Sequence, residues 1–256
     1  MVGYLAIVLA VVLPAAATVG VMVGLGRTRA RPDGELDADS LGFVGGTLNA
    51  IYIVILAFYV VFAWQTGDDI SSQAGTEANA LIDIYHQADE APDAQRDTLR
   101  RLVADYATEA ADHEWRSLAE GREDGRMDGI VADLRAAVTA LPSDDAAVAT
   151  ARQFALTYVR MLDEFHRDRV SDSTDSGVFN TTLLAGTVVG SVLMVVFPLL
   201  MGITATRRHL VVMGGIALVL GVVVYMSFAL IDPLNGVFAQ DPDAFRSALD
   251  IFDGAG

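Results

Sequence analysis

Apolar and polar positions follow two regimes along this chain. Four stretches, Val2–Leu25, Phe43–Trp64, Thr181–Ala205 and Leu210–Ile231, contain no Asp, Glu, Lys or Arg. Each has the length, about 20 residues, that a helix needs to cross a hydrocarbon core of roughly 30 Å. Between the second and third stretches the pattern changes to apolar positions recurring every three or four residues, the period of amphipathic helices. Ile70–Asp89 forms one such segment, and Pro92 opens another that extends to Glu120. The Gly-rich GREDGRMDG breaks the period, and a short helix is expected over Gly129–Leu141. Ser143 then caps a last helix that reaches Val170, with Asp144 and Asp145 in its first turn. Short connections make successive helices antiparallel.

The expected fold is an all-α membrane protein. Four transmembrane helices carry an antiparallel helical bundle inserted between the second and third spans. Residues 1–64 hold spans one and two, 65–180 the bundle, 181–231 spans three and four, and 232–256 an acidic tail. The first run has small residues at Ala15-Ala16-Ala17, as a cleaved signal would, but no basic residue precedes it and it stays apolar to Leu25. It therefore reads as a retained helix.

Arginine-rich short loops stay in the cytoplasm. Arg27, Arg29 and Arg31 follow the first span, and Arg207 and Arg208 join the third to the fourth. This places both termini, the bundle and the tail on the extracytoplasmic side of a cell membrane. Lysine is absent and Asp outnumbers Glu, a bias that points to a GC-rich or salt-adapted prokaryote. Residues 65–180 contain 24 acids and 11 arginines, a net of −13. That charge argues against nucleic acid and anionic lipid as partners; it reads either as a solvated acidic surface or as a means of concentrating inorganic cations near a mouth. Cysteine is absent, which removes disulfides, thiolate chemistry and cysteine metal sites.

On the second span, Gly45, Asn49, Tyr52, Leu56, Tyr59 and Ala63 recur at spacings of four and three, so they share one stripe. Ile51, Ile55, Phe58 and Phe62 fall on the opposite side and suit lipid. A polar group unpaired in hydrocarbon costs several kcal/mol, so the stripe should face protein or water. Two readings follow: hydrogen bonding between helices, or a water-lined path. Small residues at every fourth position, Ala16, Gly20 and Gly24 in the first span and Thr182, Gly186 and Gly190 in the third, suit close helix packing. No span carries an ionised residue, which argues against a proton-coupled transporter.

In the bundle, Glu77, His113 and His166 each fall on the apolar seam of their helix. A buried carboxylate needs a partner, so Glu77 is expected to meet His113, His166 or both in a membrane-proximal layer. The readings are a structural hydrogen-bonded pair, a Zn²⁺ site formed by these three residues, or a pH-responsive latch. HExxH, P-loop, GxSxG and dinucleotide signatures are all absent, so neither an enzyme nor a bound cofactor is expected.

Several segments in order, LGFVGGTLNAIYIVILAFYVVFAW (Leu41–Trp64), EANALIDIY (Glu77–Tyr85), LRRLVADYATEAADHEW (Leu99–Trp115) and LIDPLNG (Leu230–Gly236), resemble the bacterial bestrophin-like family, a four-span domain of unknown function. The resemblance implies an oligomeric, channel-like membrane protein, because bestrophins are rings whose second span lines an anion pore. It adds Glu114, Trp115, Asp232 and Gly236 to Glu77 as recurrent positions, and so extends the polar cluster. The functional expectation is a homo-oligomer in membrane lipid that conducts ions through an acidic vestibule. The alternative is a sensor or envelope assembly module whose bundle binds a ligand or partner protein.

Overall fold

A computed structural model describes residues 38–174, 178–200, 207–235 and 237–254. The expected first span, the arginines after it and Gly236 lie outside the described residues. Among the described residues the only regular structure is helical. In chain order the α-helices are α1 (Ala38–Gln87), α2 (Asp93–Glu109), α3 (Trp115–Ala119), α4 (Arg126–Thr139), α5 (Ala146–Thr174), α6 (Val178–Leu200), α7 (Arg207–Ile231) and α8 (Asp243–Gly254). Ala88–Glu90 forms a 3₁₀ turn after α1, and Ala110–Glu114 forms a π-helical segment between α2 and α3.

Two sequence expectations are corrected here. The second span and the first bundle helix are one element, because α1 runs without interruption through Gly67-Asp68-Asp69. The cap of α5 is Asp145 rather than Ser143. Its carboxylate accepts the backbone N–H groups of Ala147 at 2.7 Å and Val148 at 3.3 Å. These are the second and third amides of the helix, the donors an N-cap side chain reaches.

The chain divides into two compact units, 1–64 with 177–231, and 65–176 with 232–256. In the first, the apolar part of α1 that begins at Gly42 and Leu210–Leu230 of α7 are long and apolar enough to cross a membrane. Thr182–Phe197 of α6 is a shorter apolar helix. Large apolar side chains such as Phe43, Ile53, Phe58, Val192 and Val219 stand exposed, while Tyr52, Tyr59, Thr187, Ser191, Ala217 and Ser227 are buried. That distribution inverts the soluble rule and fits helices solvated by lipid.

The second unit has an ordinary apolar core. Ile70, Leu81 and Ile84 of α1 are buried with Leu99 and Val103 of α2, Met127 and Leu134 of α4, and Val159 and Leu162 of α5. Each large aliphatic side chain contributes about 1.5–3 kcal/mol on burial. The chain after α7 belongs to this core as well. Phe245 and Ala248 of α8 are fully buried, and Phe252 stacks on Tyr85 with ring centres 4.8 Å apart.

Candidate functional site

Two carboxylates, an imidazole, a guanidinium and a phenol are buried together inside the second unit. On α1 the inward positions Ile70, Ala74, Glu77, Leu81 and Ile84 follow the helical period, and Glu77 is the one carboxylate among them. On α5 the inward series Val148, Ala151, Ala155, Val159 and Leu162 continues to His166 and Arg169. On α2 it is Leu99, Val103 and Tyr106, and the series passes to Ala110, where the winding widens.

The widened turn decides which residue faces inward. Trp115 N–H bonds to Ala110 O, a five-residue step that fits one extra residue into the turn. Regular winding would place His113 on the inner face; with the extra residue that place passes to Glu114, and Trp115 and Leu118 follow. His113 is exposed, so the expected meeting with Glu77 does not occur.

Arg169 holds the cluster together. Its Nε donates to Glu77 Oε1 at 2.6 Å and its Nη2 to Glu77 Oε2 at 3.1 Å, a two-pronged contact. The same Nη2 donates to Glu114 Oε2 at 2.6 Å. Tyr106 donates its hydroxyl to Glu77 Oε2 at 2.7 Å, and His166 Nε2 meets Glu114 Oε1 at 2.6 Å. The guanidinium carbon also lies 5.4 Å from the ring centres of both Trp115 and Phe245, within cation–π range. Trp115 in turn donates Nε1–H to Gln240 O at 2.9 Å, tying the chain before α8 to this site.

Burial and charge act against each other here. Burial favours a neutral Glu114 carboxyl, but the His166 hydrogen bond and the Arg169 charge outweigh it and lower its pKa. Burial also favours a neutral His166, but the bond and charge of Glu114, with the charge of Glu77, outweigh burial and Arg169 and raise its pKa. Burial opposes the charge on Arg169, yet the two carboxylates hold its proton more firmly than usual. Burial first, and then the charge of Glu77, push the Tyr106 phenol well up, so it serves as a donor. Two carboxylates, one guanidinium and a protonated imidazole sum to zero; a neutral imidazole leaves one net negative charge.

Other predicted positions lie elsewhere. Asp232 is exposed, and its carboxylate accepts from Asn235 Nδ2 at 3.1 Å. Asn235 also donates to Ala119 O at 2.6 Å, so this pair forms a turn against the end of α3. No group of three His, Asp or Glu side chains among the described residues has metal-binding geometry, and the proposed trio of Glu77, His113 and His166 is not assembled. Sequence reasoning missed Arg169. The signal was its place on the inner series of α5, hidden because HRDR reads as a solvated charge run.

In the first unit the stripe of α1 divides. Tyr52 OH pairs with Ser191 Oγ of α6 at 3.0 Å, and Tyr59 OH donates to the backbone oxygen of Ser227 on α7. Ala63 is buried, Gly45 and Leu56 are partly buried, and Asn49 is exposed. Gly190 lies flat against the Tyr52 ring, and a methyl group there would overlap it. A methyl at Gly45 would come within 2.8 Å of the Phe197 ring.

A cleft of about 390 Å³ opens beside the buried cluster. Glu114 and His166 form part of its wall, with Glu123, Asp128, Arg167 and Val170 among the others. No curated protein and no solved structure matches the chain. The profile of the Bestrophin-like domain matches residues 11–245, nearly the whole length, and this membrane protein therefore belongs to the bestrophin-like family.

Proposed function

We propose that the protein is a multi-pass, homo-oligomeric membrane protein that conducts ions, with four spans and its acidic antiparallel bundle and both termini outside the cytoplasm. The family supports a channel-like role. The observation that carries the finer reading is Asn49. Tyr52 and Tyr59 spend their hydroxyls on helix contacts inside the subunit, so they act as interhelical glue; Asn49 is the polar member of the stripe left exposed. An amide facing hydrocarbon is costly, and a water-lined path between subunits removes that cost. The lining role thus moves from the tyrosines to the face that carries Asn49. Inorganic ions are the expected cargo, and the reading assigns no catalysis and no cofactor.

The test uses the absence of cysteine. Asn49→Cys in the full chain, in nanodiscs, should cross-link between copies, and native mass spectrometry should show a closed ring. Liposomes containing the protein should then pass ions, and Asn49→Leu should reduce the flux. A monomer or dimer with no intermolecular cross-link would sink this reading.

A second reading, that the helical domain senses a ligand, is favoured by one observation. The cleft reaches two members of a buried charged cluster, Glu114 and His166.

A further inference from the structure

The cleft beside His166 has a chemistry of its own. Its wall contains the carboxylates of Glu114, Glu123, Asp124 and Asp128, against the single guanidinium of Arg167. Asp124 is engaged by Arg126, and Arg167 by Asp163. Glu123 and Asp128 have no ion-pair partner among the described residues. His166 is only 5% exposed, stands in the cleft wall, and its Nδ1 has no hydrogen-bond partner. Because Nε2 meets a carboxylate, Nε2 carries the hydrogen, and Nδ1 of the neutral ring is a bare acceptor. A buried acceptor with no donor is costly, so the neutral ring calls for a proton or a hydrogen-bond donor at Nδ1.

We propose that this cleft binds a small organic ammonium cation, held by Glu123 and Asp128 and donating an N–H toward the neutral His166. The proposal rests on the ligand-sensing reading and names the ligand class. A bare metal ion is the poorer fit, since no three donor side chains among the described residues are placed to coordinate one. A volume of about 390 Å³ also suits a small organic molecule rather than an ion.

Charge balance supplies the regulation. With His166 neutral, the cluster of Glu77, Glu114 and Arg169 carries one negative charge too many. A proton on Nδ1 or an ammonium group beside it closes that deficit, so the two exclude each other. The groups that set this competition are Arg169 on α5 itself, Glu77 on α1, Tyr106 on α2, Glu114 on the π turn, and the cleft carboxylates Glu123, Asp124 and Asp128 with Arg167. The neighbouring carboxylates raise the proton affinity of His166, so the cation gains ground as pH rises.

The probe is putrescine, titrated calorimetrically into the full-length protein in neutral phosphatidylcholine nanodiscs at pH 6 and pH 8.5, with 1,4-butanediol as the uncharged control. Saturable binding is expected for putrescine only. It should be about tenfold or more tighter at the higher pH, as displacement of one proton requires. Glu123→Gln with Asp128→Asn, both at solvent-facing positions, should weaken it about tenfold or more without lowering the melting temperature. His166→Gln should flatten the pH dependence. No saturable heat with putrescine at either pH, or equal affinity in the double variant, overturns the proposal. Binding of sulfate in place of putrescine also overturns it, while leaving a ligand-sensing domain intact.

Discussion

The two halves of α1 both bury polar side chains on a helical stripe, and they satisfy them in opposite ways. In the apolar half, Tyr52 and Tyr59 use neutral hydroxyls, one on Ser191 and one on a backbone oxygen. In the acidic half, Glu77 forms a salt bridge with Arg169 and accepts a further hydrogen bond from Tyr106. The difference follows from the surroundings. A helix in hydrocarbon can tolerate a single hydroxyl pair, whereas ionised groups there are rare and expensive. In a bundle surrounded by water, a charge can be buried if several others are buried with it and every oxygen finds a donor.

The comparison breaks most readily at Arg169. Arg169→Met leaves two buried carboxylates facing each other and should destabilise the helical domain by about 3–5 kcal/mol. Trp64 and Trp115 are the only tryptophans, so Trp64→Phe leaves Trp115, beside Arg169, as reporter of that domain's melting. A melt unchanged by the substitution would remove Arg169 from the centre of the cluster. In the apolar half the corresponding break is steric. Gly190→Leu drives a side chain into the Tyr52 ring and should cost about 1–3 kcal/mol, read as a loss of folded protein in detergent.

Proton linkage sharpens the contrast further. The pKa of His166 is raised on folding, so its contribution is full below the ordinary imidazole value of about 6.5 and is lost as pH rises through the folded value. The pKa of Glu114 is lowered, so its contribution is present above the ordinary carboxyl value and is lost as pH falls through the folded one. Melting of the helical domain should therefore decline from pH 6 toward pH 9, and His166→Gln should remove that decline. An identical slope in both proteins would dissociate His166 from the cluster. The smallest effect belongs to Tyr52→Phe, which deletes one neutral hydrogen bond and should cost about 0.6 kcal/mol, measured in the same detergent assay.

Much of this was legible in the sequence, and the gaps have physical causes. The helical class and the acidic domain follow from spacing and composition. Glu77 was visible as a carboxylate on an apolar stripe, and Tyr52 and Tyr59 as polar groups on another. Their partners were not visible, because Ser191 and Ser227 lie 139 and 168 residues away and periodicity carries no information across elements. Arg169 could have been found by extending the α5 series from Leu162 through His166. The misplacement of His113 could not have been avoided, since it depends on a local change of winding that the 3.6-residue period cannot express.

That wide turn also bears on ancestry. A five-residue step is what one inserted residue becomes once the flanking helix keeps its register. Removing the exposed Asp112 would let the segment wind as an ordinary α-helix while Glu114, Trp115 and Leu118 stay on the inner face. Members of the family one residue shorter between Tyr106 and Glu114 are thus expected to keep the same acid against the same arginine, with a gap of one in the alignment as the trace of the turn.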